Sequence, residues 1–230
     1  MGLKSFLLNL LFPINCLGCG QEGDWLCSAC FKKITFGQRQ KMNLKTPDLD
    51  QVFIAGDYND PLLAGLIKKF KYNFIAALGP ILARWLIMFW SGQVASQAFD
   101  MGARPLADKP NNFLVIPIPL AQKRLRWRGF NQAEIIAREF SAAFGYPLNC
   151  RDLKRSGRRR RQASLSEKER FNNIKGVFSW HGKPLGEDSS GTTIILIDDL
   201  ITTGATLNEA ARTLKAAGAK QIYGLILAKG

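Results

Sequence analysis

Ile194–Ile195–Leu196–Ile197–Asp198–Asp199–Leu200–Ile201–Thr202–Thr203–Gly204–Ala205–Thr206 is the stretch on which the fold turns. Its first four residues are apolar and three of them are β-branched, the pattern of a short strand buried on both faces of a parallel sheet. Two adjacent carboxylates follow where such a strand emerges. After the Thr-Thr-Gly-Ala-Thr turn, Leu207, Ala210, Ala211, Leu214 and Ala217 share one helical face, and Gly218 is a natural stop. Strand, hydroxyl- and glycine-bearing loop, and helix start together make an anion site. The first N–H groups of a helix lack intrahelical partners, and the helix dipole favours negative charge beside them. Gly204 lets backbone approach a phosphate closely. The two acids cannot serve the phosphate themselves and suit sugar hydroxyls or a divalent cation beside it. Helix capping is the simpler alternative, but it accounts for one Thr and leaves the acid pair unexplained.

These residues resemble the phosphoribosyl-pyrophosphate (PRPP) signature of type I phosphoribosyltransferases. The resemblance implies that Asp198 and Asp199 hold the ribose hydroxyls. It also implies that Thr202, Thr203, Gly204, Ala205 and Thr206 cradle the 5′-phosphate, with Mg²⁺ accompanying PRPP.

With 230 residues and 47% apolar content, the chain can bury one main domain with a small appendage. The net charge of +14 points to polyanionic partners. No apolar run approaches the length of a membrane span, so stable membrane insertion is not expected. Met1–Phe12 reads as a short amphipathic helix stopped by Pro13, without the basic start or cleavage site of a signal peptide. Cytoplasmic localisation is expected.

Cys16-x-x-Cys19 and Cys27-x-x-Cys30 supply four thiols at the spacing of a structural zinc site, with a redox pair or two disulfides as alternatives. A segment this small has almost no core of its own, so a bound metal would supply most of its folding free energy. Gly18-x-Gly20-x-x-Gly23 formally matches a dinucleotide fingerprint but follows no strand, and is set aside. Cys150 reads as a small buried residue without a role. His181, among Gly and Pro, reads as an ordinary loop residue.

Residues 32–50 look like a linker, dividing the chain into a module over 1–45 and a main domain over 46–230. Strands are expected at Val52–Tyr58, Phe113–Ile118 and Gln221–Ala228, and helices at Pro61–Phe70, at about Phe74 to Trp90 with Pro80 as its start or a kink, and at Gln132–Phe144. Ser91–Asn112, low in pattern and holding Gly102, Pro105 and Pro110, reads as loop or a partly ordered segment. The exit from Pro117-Ile118-Pro119 reads as a basic loop holding Lys123, Arg124, Arg126 and Arg128, a second anion site on the same sheet edge. By the phosphoribosyltransferase resemblance this is the pyrophosphate loop, with Arg124 and Arg128 on the pyrophosphate.

Residues 121–175 hold 15 basic against 5 acidic residues, including consecutive Arg158, Arg159, Arg160 and Arg161. A basic run of this kind is either a solvated face, a hood over an anionic substrate, or a nucleic-acid surface. The last reading takes Arg126, Trp127, Arg155 and Arg158–Arg161 as its contacts, with Trp127, Phe130 and Phe171 as stacking surfaces or as core. Ser166 and Glu169 read as a capping box.

The whole chain resembles the ComF (competence protein F-like) family. The resemblance rests on the Leu-rich start with Pro13, the two cysteine knuckles, and Ile116-Pro117-Ile118-Pro119-Leu120. It extends through Arg126-x-Arg128-Gly129-Phe130-Asn131-Gln132, Gln162-x-x-Leu165, Arg170-x-Asn172 and the acid-pair motif. It implies an α/β fold, a mostly parallel sheet of type I phosphoribosyltransferase kind flanked by helices, behind a small four-cysteine zinc-knuckle module. It further implies a role in natural competence, in which PRPP or a related phosphosugar and incoming single-stranded DNA are bound and DNA-uptake proteins are partners. The alternative is a Mg²⁺-dependent phosphoribosyltransferase acting on a nitrogen nucleophile. Glutamine-dependent ammonia release is not expected, because no N-terminal cysteine or glutaminase domain is evident.

Overall fold

The computed structural model describes residues 13–36, 46–100, 113–156, 174–185 and 192–230. The expected helix over Met1–Phe12, the Arg158–Arg161 run, Phe171 and the Ser166–Glu169 capping box lie outside them.

Four strands form one parallel sheet in the order β1-β6-β5-β2: β1 (Gln51–Ile54), β2 (Phe113–Pro117), β5 (Thr193–Ile201) and β6 (Gln221–Lys229). A short antiparallel hairpin, β3 (Leu153–Arg155) with β4 (Phe178–Trp180), stands apart from it. Ile194, Ile195, Leu196 and Ile197 are fully covered, as a strand with neighbours on both edges and helices on both faces requires. One face carries α2 (Pro61–Tyr72), α3 (Leu78–Asp100) and α5 (Gln132–Phe144). The other carries α6 (Ala205–Ala216) and the hairpin, with Leu207, Ala210, Ala211 and Leu214 inward. Gly224 permits that contact: a Cβ there would stand 2.6 Å from Leu207 Cδ2.

Helix boundaries follow local chemistry. Asp60 caps α2 by accepting from the Leu62 and Leu63 N–H groups, with Pro61 in the first helical position. Pro80 lies in the first turn of α3, where its missing N–H costs no helical bond. Gly145, at φ 68°, closes α5.

Three expectations are corrected. The α3 helix continues to Asp100, through residues read from sequence as loop. Ser91–Asp100 contains no proline and only Gly92 as a breaker, so nothing in it stops a helix already propagating. Phe74, expected in the second helix, instead lies in the turn between α2 and α3, at φ 58° and exposed. The basic segment after β2 is not a loop but a helix, α4 (Gln122–Arg128). Six of its seven residues, all but Trp127, are good helix formers, and Gly129 at φ 82° ends it.

The first cysteine segment includes the one-turn helix α1 (Ser28–Phe31) and shares its core with the main domain. Cys16, Leu26, Cys30, Phe31 and Ile34 pack in the same cluster as α2 and α3. Phe36 stacks on Trp85 at 5.1 Å, and the Arg84 guanidinium lies 5.1 Å from the Phe31 ring centre. No helix among the described residues is long and apolar enough to cross a membrane.

Candidate phosphosugar cleft and cysteine cluster

Strands β2 and β5 are neighbours, yet α5 and α6 lie on opposite faces of the sheet. Chain leaving the two strands therefore diverges and opens a crevice at their C-terminal ends, the usual ligand position in open α/β sheets. Here the crevice encloses a cavity of about 190 Å³.

The acid pair sits where β5 has lost one neighbour. Pairing with β2 ends at Ile197, whose carbonyl accepts from Ile118 N–H, while pairing with β6 continues through Asp198 to Ile201. The strand thus runs beyond the carboxylates rather than ending before them. Asp198 and Asp199 both line the cleft. Asp199 is buried and forms a 2.8 Å ion pair with Lys71 Nζ at the end of α2. Burial pushes the Asp198 carboxyl up to about 7, reinforced by the negative charge of Asp199 and opposed by Lys71 and Arg155.

The predicted phosphate loop follows directly. Gly204, at φ 78°, is the N-cap of α6, so Ala205 and Thr206 belong to the first helical turn. Thr206 lines the cleft, Thr203 Oγ1 accepts from Ala205 N–H at 3.4 Å, and Thr202 is exposed. The acids and a helix N-terminus are thus held on one rim.

Across the cavity, the helical form of α4 sorts its cations. Arg124 and Arg128, four residues apart, line the cleft, whereas Arg126 and Trp127 are exposed and do not. Arg128 is only 8% exposed, and burial lowers its pKa against the opposing attraction of Asp199. Its Nε finds no hydrogen-bond partner among the described residues, and neither does Nε2 of Gln132, 2% exposed, on the same wall. Two buried donors left without acceptors in one cleft fit an anionic ligand, which would complete them.

Lys71, Tyr72, Asn131 and Gln132 line the cleft without having been singled out as site residues from sequence. Asn131 Nδ2 donates to the Ile118 carbonyl and so fixes the chain between β2 and α5. Gln132 had a signal, the Asn131-Gln132 that closes the arginine motif. Lys71 had none, because its place depends on α2 meeting β5. Arg155, assigned from sequence to a nucleic-acid surface, lines the cleft, with its guanidinium 5.3 Å from the Phe178 ring centre. Buried Glu209 holds this side in place: it accepts from Gly176 N–H at 2.6 Å and pairs with Arg212 at 2.7 Å. Phe130 turns inward to Phe70, at 5.4 Å, so its role is packing. His181 bonds Ser179 at 2.9 Å and does not line the cleft.

The four N-terminal cysteine sulfurs lie within 4.8 Å of one another, and none forms a disulfide. Tetrahedral zinc with bonds near 2.3 Å places its sulfurs about 3.8 Å apart. Cys19 and Cys27 Sγ stand at 3.7 Å. Burial tends to raise the Cys16 pKa, but hydrogen bonds outweigh it, the backbone N–H groups of Cys27 and Gly18 among them, and take it down to about 6. Burial and the neighbouring sulfurs push Cys30 up to about 12. Four sulfurs this close could hold a metal ion between them, and Cys16, Cys19, Cys27 and Cys30 fit zinc in number, type and spacing.

The phosphoribosyl transferase domain family matches residues 127–229, which include the acid pair, the loop after it and Arg128. Competence protein F of Haemophilus influenzae is 30% identical over 219 residues, covering 93% of this chain and 84% of that protein. Competence protein ComFC of Bacillus subtilis is 38% identical over 104 residues, 45% of this chain and 38% of that protein. The DNA utilization protein YhgH of Escherichia coli K12 is 26% identical over 178 residues, 77% of this chain and 71% of that protein. With its parallel sheet, cysteine cluster and phosphoribosyl transferase domain, the chain belongs to the competence protein F (ComF) family.

Proposed function

We propose that this protein binds PRPP or a closely related phosphosugar in the β2–β5 crevice and handles single-stranded DNA during its uptake. The observation that carries the first half is the pairing of unlike walls in one cleft. Asp198 and Asp199 face sugar hydroxyls, while the α6 N-terminus, Arg124, Arg128 and Gln132 supply donors for phosphates. Mg²⁺ arriving with PRPP would meet carboxylate oxygens of the acid pair and would neutralise phosphate charge. The names of the relatives, competence protein F and DNA utilization protein, support the second half, as does the charge of +14.

In this reading residues 46–230 form the binding domain, and residues 1–45 hold a structural zinc that braces α2 and α3. The protein acts in the cytoplasm beside DNA-uptake proteins. Arg158–Arg161 contribute to strand binding.

The phosphosugar site is tested by replacing Arg124 and Arg128 together with Ala and measuring retention of PRPP with Mg²⁺ by equilibrium dialysis. The variant is expected to lose PRPP while the wild type retains it. Equal retention contradicts the assignment. Affinity for a labelled single strand should fall steeply as salt rises, and a flat salt response contradicts the DNA half. Pyrophosphate release on adding a nucleobase would identify a transferase on the same site.

A further inference from the structure

Three exposed aromatic rings are linked to the Arg128 wall of the cleft. Tyr72 and Trp127 are 59% exposed and Phe74 is 40% exposed. They come from separate places in the chain, the end of α2, the turn after it, and α4. The Phe74 ring meets Trp127 edge to face, with centres 4.8 Å apart and planes at 83°. The Arg128 guanidinium carbon lies 5.9 Å from both the Tyr72 and the Trp127 ring centres, which ties the rings to the cleft wall. Tyr72 itself lines the cleft.

The backbone at Phe74 adds to this. Its φ of 58° lies in the left-handed region, where a glycine or asparagine is cheap and a bulky side chain is not. The chain accepts that conformation, and its result is a large ring turned to water beside another.

The surroundings indicate the occupant. Exposed Arg124 and Arg126 precede Trp127 on α4, and exposed Lys68, one turn before Tyr72 on α2, holds its ammonium 5.8 Å from the Tyr58 ring centre. An apolar protein surface would gain nothing from so many cations. Exposed π-faces interleaved with cations match unstacked bases on a phosphate backbone. A duplex keeps its base faces stacked inside and offers them to no ring.

We propose that Phe74 and Trp127 form a stacking platform for a base of single-stranded nucleic acid, with Tyr72 and Arg128 joining it to the phosphosugar cleft. This rests on the nucleic-acid half of the function proposed above and locates it on the described part of the chain.

The test is fluorescence anisotropy of a labelled single-stranded oligothymidylate and of an abasic strand of equal length. It uses the full-length wild type, Phe74→Leu, Trp127→Leu, Phe74→Tyr and Trp127→Phe, each checked for an unchanged melting profile. The leucine variants should bind the thymidylate strand roughly 5- to 100-fold more weakly. They should bind the abasic strand like the wild type, and the aromatic replacements should retain most of the affinity. Undiminished thymidylate binding by both leucine variants overturns the platform alone. An equal loss on both strands, or duplex bound as tightly as single strand, also overturns it. A wild type that binds neither strand overturns both the platform and the DNA half of the proposed function, while leaving the PRPP measurements to stand separately.

Discussion

Lys71→Met is the substitution that most directly probes how the acid pair is held. Lys71 Nζ and Asp199 Oδ1 are 2.8 Å apart, with side chains only 13% and 10% exposed. At an effective dielectric constant near 20 the pair attracts by about 6 kcal/mol, part of which offsets the cost of taking both charges out of water. Removing one partner of a buried pair typically costs about 3–5 kcal/mol, because the other charge stays buried. Arg128 still faces Asp199 after the change, so the lower end, about 3 kcal/mol, is expected. In a chain of 230 residues that corresponds to a melting temperature lower by about 6–12 °C. Urea denaturation followed by circular dichroism measures the free energy, and a thermal scan measures the shift. Lys71→Met combined with Asp199→Asn removes both charges and should recover most of the loss. A single variant within about 0.5 kcal/mol of wild type, or a double variant no better than the single, would show that the Lys71–Asp199 pair does not hold the acid pair in place.

The raised pKa of Asp198 makes a second prediction. Its carboxyl titrates near 3.8 when unperturbed and at about 7 in the fold, so the folded state keeps a proton that the unfolded chain has released. This group's contribution therefore makes stability fall as pH rises from about 4 to about 7, then level off. Asp198→Asn should match wild type near pH 4 and melt higher at pH 8; thermal scans showing an unchanged slope in the variant exclude this. Glu209→Ala leaves Gly176 N–H and Arg212 without their buried acceptor, with an expected loss of about 1–3 kcal/mol. Hydrogen exchange should speed up at Gly176 in the variant, and unchanged exchange contradicts the positioning role. Metal analysis should find one zinc per chain, and stripping it with a strong chelator should lower the melting temperature by loosening the shared core with α2 and α3. A metal-free preparation that melts like the untreated protein contradicts the structural role.

What could be read from sequence follows the range of the interactions concerned. The β5 strand, the acid pair, the α6 helix and the cysteine knuckles are local patterns of neighbouring residues and all are present, but β5 runs on through the acids to Ile201 and α6 starts at Ala205, inside the stretch read as turn. The helix α4 was masked by its own composition. Four cations with one leucine and one tryptophan read as polar loop, and only the folded chain shows Arg124 and Arg128 on one wall. Strands of three residues, such as β3 and β4, carry too little periodicity to register. Lys71 and Tyr72 line the cleft, and exposed Phe74 meets Trp127, through the meeting of α2 with β5 and α4, a tertiary fact that no spacing encodes.

If the crevice between β2 and β5 is a phosphosugar site whose acids recognise the sugar, PRPP binding must depend on Asp198 and Asp199. Isothermal titration of PRPP with Mg²⁺ into the wild type and into Asp198→Ala/Asp199→Ala should show saturable binding at one site per chain in the wild type and none in the double variant. Wild-type protein that binds no PRPP, or a double variant that binds it equally well, would rule out a sugar site at the acid pair.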